Sequence, residues 1–457
     1  MTAMMSTRRA MGRRLACLLL LFPVVAAADI SAGKPDGSER WGYVEARPKA
    51  NLFWLWYKSP RRASTPAAAK PWPTVLWLQG GPGGSGVGRG NFQEIGPLDV
   101  DMKPREWTWL NIADLIFVDS PVGTGYSYVD DPSEMVTTDK QAVDDLMVLL
   151  KKLAEEEVPT LQHSPLYLVG ESYGGKHAAM LGVAMAESNQ AGTLSLSLGG
   201  VVLGDAWISP VDSALAYAQL LNDVSRLNDN AVAKTNKMAL MMARQTQAKK
   251  YAIARQTFTD QLDFIDSQSD SVNMENFMLD TGMSPVVLTN MYMNKTTQQN
   301  TIEGDMNGPV KKGFKLIPKK LIWQEASIDV YEALNNSFVV PAIEEVHKLL
   351  SIGVNVTVYQ GQFDVIASTI GAEAWVRKLE WSGLGEFLSL RRQPLHFCDS
   401  AKYCSKAIKA YVRSYKNFSF YWILQAGHMV PVDQPYVAFR MIAKVTDSPG
   451  FHVDARA

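Results

Sequence analysis

The stretch LYLVGESYGGKH, residues 166–177, constrains this chain more than any other. Leu166, Tyr167, Leu168 and Val169 form an apolar run between Pro165 and Gly170, the pattern of a strand buried in a parallel sheet. Gly170 and Gly174 then flank Ser172 in GESYG, the spacing of a strand-turn-helix elbow where backbones approach too closely for a side chain. Such a turn lifts the Ser172 hydroxyl out of the sheet and aims the Tyr173 amide, at the start of the next helix, at a developing negative charge. An ordinary Gly-Ser turn has the same letters, so its partners decide. A serine hydroxyl is a poor nucleophile until a histidine accepts its proton and an acid orients that histidine. The elbow therefore predicts an Asp or Glu and then a His, each just after a later strand.

Both are present in that order. NVTVYQGQFD, residues 355–364, reads as a strand ending in a turn that presents Asp364. FSFYWILQAGHMVPVDQP, residues 418–435, reads as another that ends at Gly427 and His428. A turn aspartate is usually a cap and a lone histidine usually structural, but here both stand at strand ends after an elbow. His163, His177, His347, His396 and His452 lack such placement and read as structural.

Earlier in the chain, TVLWLQ (residues 74–79) is a strand that runs into GGPGGSGVGRG (residues 80–90). The loop lacks the lysine of GxxxxGK[ST] and opens no GxGxxG helix, which argues against nucleotide binding. It reads instead as an oxyanion loop, in which crowded glycines bring the Gly81 amide to a reacting carbonyl oxygen opposite the Tyr173 amide; one such donor is worth ~3 kcal/mol. LIFVDSP (residues 115–121) and GGVVLGD (residues 199–205) repeat the form of buried strand and then acid, and ligands of open α/β sheets bind beyond that carboxyl edge. Residues 139–158 have the spacing of a crossover helix. RWGYVEAR (residues 40–47) and NLFWLWYK (residues 51–58) read as an antiparallel hairpin at the sheet edge, followed by a proline-rich connection over 59–73.

From about Trp207 to Lys320 the strands vanish and Met, Gln, Asn and Lys dominate helical-looking segments, as in an inserted cap above the site. Its methionines, Met238, Met241 and Met242 among them, read as core filler, and the basic run KKGFKLIPKK (residues 311–320) as a solvated surface. The expected organisation is a signal peptide (1–28), the first part of an α/β core (29–206), a helical cap (207–320) and the second part of the core (321–457).

A chain of 457 residues can bury a large core, and a formal net charge of -1 offers no field for nucleic acid. Arg8, Arg9, Arg13 and Arg14 precede an apolar stretch from Leu15 to Val25 and then Ala26, Ala27 and Ala28, the build of a secretory signal. That stretch falls well short of the ~20 residues of a membrane anchor, and no later one reaches that length. Cys17 leaves with the signal; Cys398 and Cys404 are then expected to pair in an oxidising compartment, trimming a local loop by roughly 2 kcal/mol, with free thiols as the alternative. Sequons at Asn294, Asn335, Asn355 and Asn417 agree with a secreted or lysosomal destination.

Four blocks, WLQGGPGGSG with FQEIGP, DSPVGTGYSY, GESYGG, and GQFD followed by GHMVPVDQP, together resemble the serine carboxypeptidases related to carboxypeptidase Y and cathepsin A, from about Trp41 to the end. The resemblance implies an α/β-hydrolase fold with a mostly parallel sheet and helical insertion, and removal of carboxyl-terminal residues from peptides at acidic pH. By motif, Ser172 is the nucleophile, His428 the general base and then acid, Asp364 its orienting partner, and Gly81 and Tyr173 the oxyanion donors. The substrate carboxylate falls to Gln79, Glu94 and Glu171, with the Gly80 amide assisting. Two glutamates beside a carboxylate repel it unless they share a proton, which gives acidic working pH a physical reason. No cofactor or metal is expected, and the resemblance allows a homodimer. Two positions depart from the family: Gln79 replaces its usual Asn, and Gly84 replaces a Cys, implying one fewer disulfide near the loop. An esterase on the same fold is the rival enzyme, disfavoured because GGPGG differs from an HGGG-type loop and an esterase needs no paired acids. A non-catalytic binding glycoprotein is the other alternative, supported chiefly by Gln79.

Overall fold

Among the described residues, the apolar runs read as strands lie in one sheet, because alternate residues of each find a hydrophobic layer on both sides. The structure, a computed structural model, describes residues 30–64, 70–279, 302–396 and 407–450. The expected signal peptide, Cys398, Cys404 and Asn294 lie outside the described residues. Within them the strands are β1 (Ile30–Gly33), β2 (Glu39–Arg47), β3 (Ala50–Tyr57), β4 (Thr74–Leu78), β5 (Asp114–Val118), β6 (Tyr128–Val129), β7 (Leu166–Glu171), β8 (Leu198–Gly204), β9 (Val356–Gly361), β10 (Gln393–Leu395), β11 (Ala410–Tyr415) and β12 (Phe418–Ile423).

Their order is β1-β2-β3-β5-β4-β7-β8-β9-β12-β11-β10, with β6 paired to β3. The central run from β5 through β4, β7, β8 and β9 to β12 is parallel. Both flanks are antiparallel. This is the mostly parallel α/β-hydrolase sheet. β3 shows how one sequence feeds two layers: Leu52, Trp54 and Trp56 enter one core, while Phe53, Leu55 and Tyr57 enter the other. The hairpin of β2 and β3 is not the sheet edge, because β1 pairs outside β2 through Ile30–Tyr43 and its neighbours.

Parallel neighbours need crossovers, and the helices supply them. Helix α1 (Asp139–Lys152) starts with a Thr138 capping box, and α2 (Tyr173–Gln190) follows β7 directly. Between β8 and β9 the described residues contain no strand. They contain α3 (Pro210–Asp223), α4 (Asp229–Gln247) and α5 (Tyr251–Ser269), which pack on one another through Ala214, Ala239, Phe258 and Leu262. The methionines there divide: Met242 is buried, Met241 exposed.

The basic run at 311–320 is not simply solvated. Phe314 is buried against Trp41, Phe53 and Tyr126, and Ile317 joins the same core, so two apolar side chains pin a lysine-rich surface to the sheet. Sequence charge hid them, because the ring partners of Phe314, which are Trp41, Phe53 and Tyr126, come from distant parts of the chain. No helix among the described residues is long and apolar enough to cross a membrane.

Candidate active site

The elbow is built from close backbone contacts. A Cβ on Gly170 would lie 2.2 Å from the Gly174 carbonyl oxygen, and one on Gly174 would lie 2.1 Å from that of Leu78, so neither position admits a side chain. Between them Ser172 adopts φ 57°, ψ -125°, left-handed backbone that an L-residue takes only when its surroundings impose it. They do: the Ser172 amide donates to Gly204 O at 2.9 Å, and its carbonyl accepts from Trp207 and Gly175. Gly80 touches the serine, since a Cβ there would come 2.5 Å from the Ser172 Cβ. Tyr173 opens α2, so its amide has no acceptor one turn earlier, and Gly81 holds φ 121°, a conformation open to glycine.

Three loop ends converge. His428 Nδ1 lies 2.8 Å from Asp364 Oδ2, and Asp364 is 1% exposed. Ser172 and His428 line one pocket, with Gln79, Gly80, Gly81, Arg89, Glu171 and Glu275. No hydrogen bond joins the Ser172 hydroxyl to His428 among the described residues; both remain open to the same space. The His428 backbone is tied to the helical insertion, its amide donating to Glu275 O at 2.7 Å. Burial pulls the His428 pKa down, but the Asp364 charge and hydrogen bond, with Glu275, outweigh it and raise the ring above its ordinary value.

Beside the serine sits a pair of acids. Glu171 is the last residue of β7, and Glu94 comes from the wide-turned helix Gly86–Ile95; both are 1% exposed. Gln79 orients Glu171, donating from Nε2 to Oε1 at 2.9 Å while its own Oε1 accepts from Trp77 at 2.7 Å. Thus the longer side chain that replaces the family Asn is held at both ends. Among the described residues no hydrogen bond of good geometry reaches either Glu94 oxygen or Glu171 Oε2, although Gln79 and the two carboxyls are neighbours. Two carboxylates can only accept, so a proton on one of them is what lets them bond. Burial first, and then the Glu94 charge, push Glu171 well above the carboxylate range; burial also raises Glu94, against the lowering influence of Glu171, Arg89 and Gln79.

The sequence motifs single out neither Arg89 nor Glu275, and they give Asp205 only as an acid that follows a strand. Arg89 is the single charge in the glycine loop, a signal that was available. Asp205 directly follows β8 beside Asp364; its Oδ1 accepts from Gly361 N at 2.7 Å, and burial together with the Asp364 charge raises it far above the carboxylate range. An oxygen of each of these two acids and a ring nitrogen of His428 lie within 4.8 Å of one another. Asp119, presented after β5, accepts from Ser85 Oγ at 2.5 Å, Tyr126 N and Val87 N, so it ties the glycine-rich loop to the neighbouring one; burial lifts its pKa to about 6. His177 is structural as expected, 3.0 Å from buried Asp139.

Two sequons differ in geometry. Asn417 Nδ2, the atom that carries an N-glycan, donates to Leu350 O at 3.0 Å and Val354 O at 2.8 Å, and glycosylation would remove one of those N–H groups. Asn355 is exposed, and its amide makes one long contact of 3.4 Å with Gly199 O.

The serine carboxypeptidase sequence pattern matches residues 31–448. The chain belongs to the serine carboxypeptidase family. Among its relatives in this family, serine carboxypeptidase-like 51 of Arabidopsis thaliana is 50% identical over 437 residues, 91% of this chain and 93% of that protein. Human retinoid-inducible serine carboxypeptidase is 39% identical over 448 residues, covering 95% and 97%. The crystal structure of Kex1Δp, a prohormone-processing carboxypeptidase from Saccharomyces cerevisiae, superposes with a TM-score of 0.75 at 21% identity, covering 90% of this chain and 91% of that one. At that identity the likeness speaks for the fold.

Proposed function

We propose that this family member removes carboxyl-terminal residues from peptides at acidic pH through an acyl-enzyme on Ser172. One observation carries the reading: Ser172 and the Asp364-held His428 open on the pocket that also receives Glu171, with Glu94 behind it. His428 takes the Ser172 proton as the hydroxyl attacks the scissile carbonyl, and Asp364 fixes the ring's orientation and stabilises the imidazolium. The Gly81 and Tyr173 amides receive the oxyanion. His428 then gives the proton to the leaving amine, and a water activated by the same ring releases the acyl group. The substrate's carboxylate accepts from Gln79, the Gly80 amide and the proton shared by Glu94 and Glu171. Trp207, Phe258, Phe338 and Ile366 supply apolar walls for the side chains around the scissile bond, Phe258 coming from α5 in the helical cap. The proposed route is secretory, with Asn355 a better glycan acceptor than Asn417.

A fluorophosphonate probe tests the nucleophile: labelling lost in Ser172→Ala supports it, and absence of labelling in the folded wild-type protein overturns it. Release of single amino acids from blocked dipeptides at acidic pH tests the rest; hydrolysis of simple esters without any such release would mark an esterase.

A further inference from the structure

The charges lining the pocket do not balance for the proposed substrate. A peptide's free end brings a negative charge toward Glu171 and Glu275, with Glu94 behind them and Glu325 nearby. A single proton shared by Glu94 and Glu171 leaves that pair still negative. Apart from His428, which must be neutral to act as a base, Arg89 is the only cationic side chain among the described residues lining the pocket.

Its setting is unusual for an arginine. It is 6% exposed, yet its guanidinium has few partners: Nη2 meets the Met429 sulfur at 3.3 Å, and Nε stands 3.5 Å from Glu325 Oε1, without hydrogen-bond geometry. A guanidinium has five N–H donors, and burying it with so many unused is costly unless a ligand completes the set. A carboxylate matches a guanidinium in shape and charge, and an ammonium or amide end does not. The residue also stands where it can act: its own helix, Gly86–Ile95, carries Glu94, and Met429 adjoins His428.

We infer that Arg89 is a specificity-determining residue, a fixed cation that receives the substrate's terminal carboxylate alongside the Glu94–Glu171 pair. This rests on the pocket being a carboxylate site. Arg89 keeps its charge while Glu94, Glu171 and His428 change theirs, with Glu275 and Glu325 the other charged groups facing it, so it provides the part of carboxylate recognition that does not depend on a shared proton.

The test compares a blocked dipeptide bearing a free carboxylate with the same dipeptide as its carboxyl-terminal amide, in wild type, Arg89→Met and Arg89→Lys. Arg89→Met is expected to cut the preference for acid over amide in kcat/KM by about 10- to 100-fold, with the loss in KM for the acid, and Arg89→Lys to restore part of it. Fluorophosphonate labelling of Ser172 verifies that each variant is folded, and Arg89→Lys carries the comparison alone if Arg89→Met is not. Equal losses on acid and amide would make Arg89 a structural strut and overturn the inference, as would an unchanged preference. If wild type itself fails to prefer the acid, the carboxylate reading of the pocket falls first, and that result is visible without any Arg89 variant.

Discussion

Glu171 and Lys176 lie within two turns of one helix start, yet each belongs to a buried charged cluster of a different kind. On the pocket side, Glu94 and Glu171 are neighbours, with no hydrogen bond of good geometry to the Glu94 oxygens among the described residues, and burial raises both. Beneath α2, Asp139 is equally hidden but fully answered: Lys176 Nζ at 2.7 Å, Tyr173 Oη at 2.7 Å and His177 Nε2 at 3.0 Å. Burial pushes Asp139 up, but the Lys176 charge and the His177 contact overcome it and hold its carboxyl well below the usual range. Burial therefore does not set the charge of an acid; the supply of donors does. Asp139 acts as a fixed anion that fastens α2, and in the proposed mechanism the glutamate pair is a proton store.

The sharpest way to break this contrast is to remove the donor. Lys176→Met strands a buried carboxylate and should cost roughly 3–5 kcal/mol, read as a fall in the urea midpoint, whereas Glu94→Gln should be near neutral in the same assay. A similar loss in both would erase the distinction. Function should show the opposite order. Glu94→Gln supplies a permanent donor in place of the shared proton, so it should flatten the pH dependence of KM for free-carboxylate peptides.

In wild type, with both glutamates raised, KM should climb between weakly acidic and neutral pH as the shared proton leaves, approaching tenfold per pH unit once above the apparent pKa of the pair, about the limit for one proton. A KM flat across that window would count against the role of both glutamates. The smallest effect lies in stability. A carboxyl whose folded pKa is raised keeps its proton after the unfolded chain has lost its own, so its contribution is full below the unfolded value of about 4.3 and is lost as pH rises toward the folded value. The melting temperature should therefore decline slightly over that range, and Glu171→Gln should reduce the slope. Asp139 has the opposite sign: its stabilisation holds above the unfolded value of about 3.9 and fades only in stronger acid.

Much of this site could be read from the letters because its geometry is local. Gly170, Ser172 and Gly174 specify a turn whose contacts lie within a few residues, and the strands before Asp364 and His428 are apolar runs with clear ends. The Glu94–Glu171 pair was readable only through family resemblance, since nothing in either segment states that β4 and β7 are neighbours. The surroundings of Arg89, Asp205 and Glu275 escaped for the same reason, each side chain acquiring meaning from the one across from it. Phe314 and Ile317 escaped because the lysines around them dominate the local pattern.

The parallel sheet also governs when this chain can first do harm. β12 must dock on β9, itself laid against β8, before the imidazole can reach the alcohol, and His428 follows β12 in sequence. On the proposed mechanism, a polypeptide that already displays its elbow cannot hydrolyse a peptide until His428 has been added and β12 has docked.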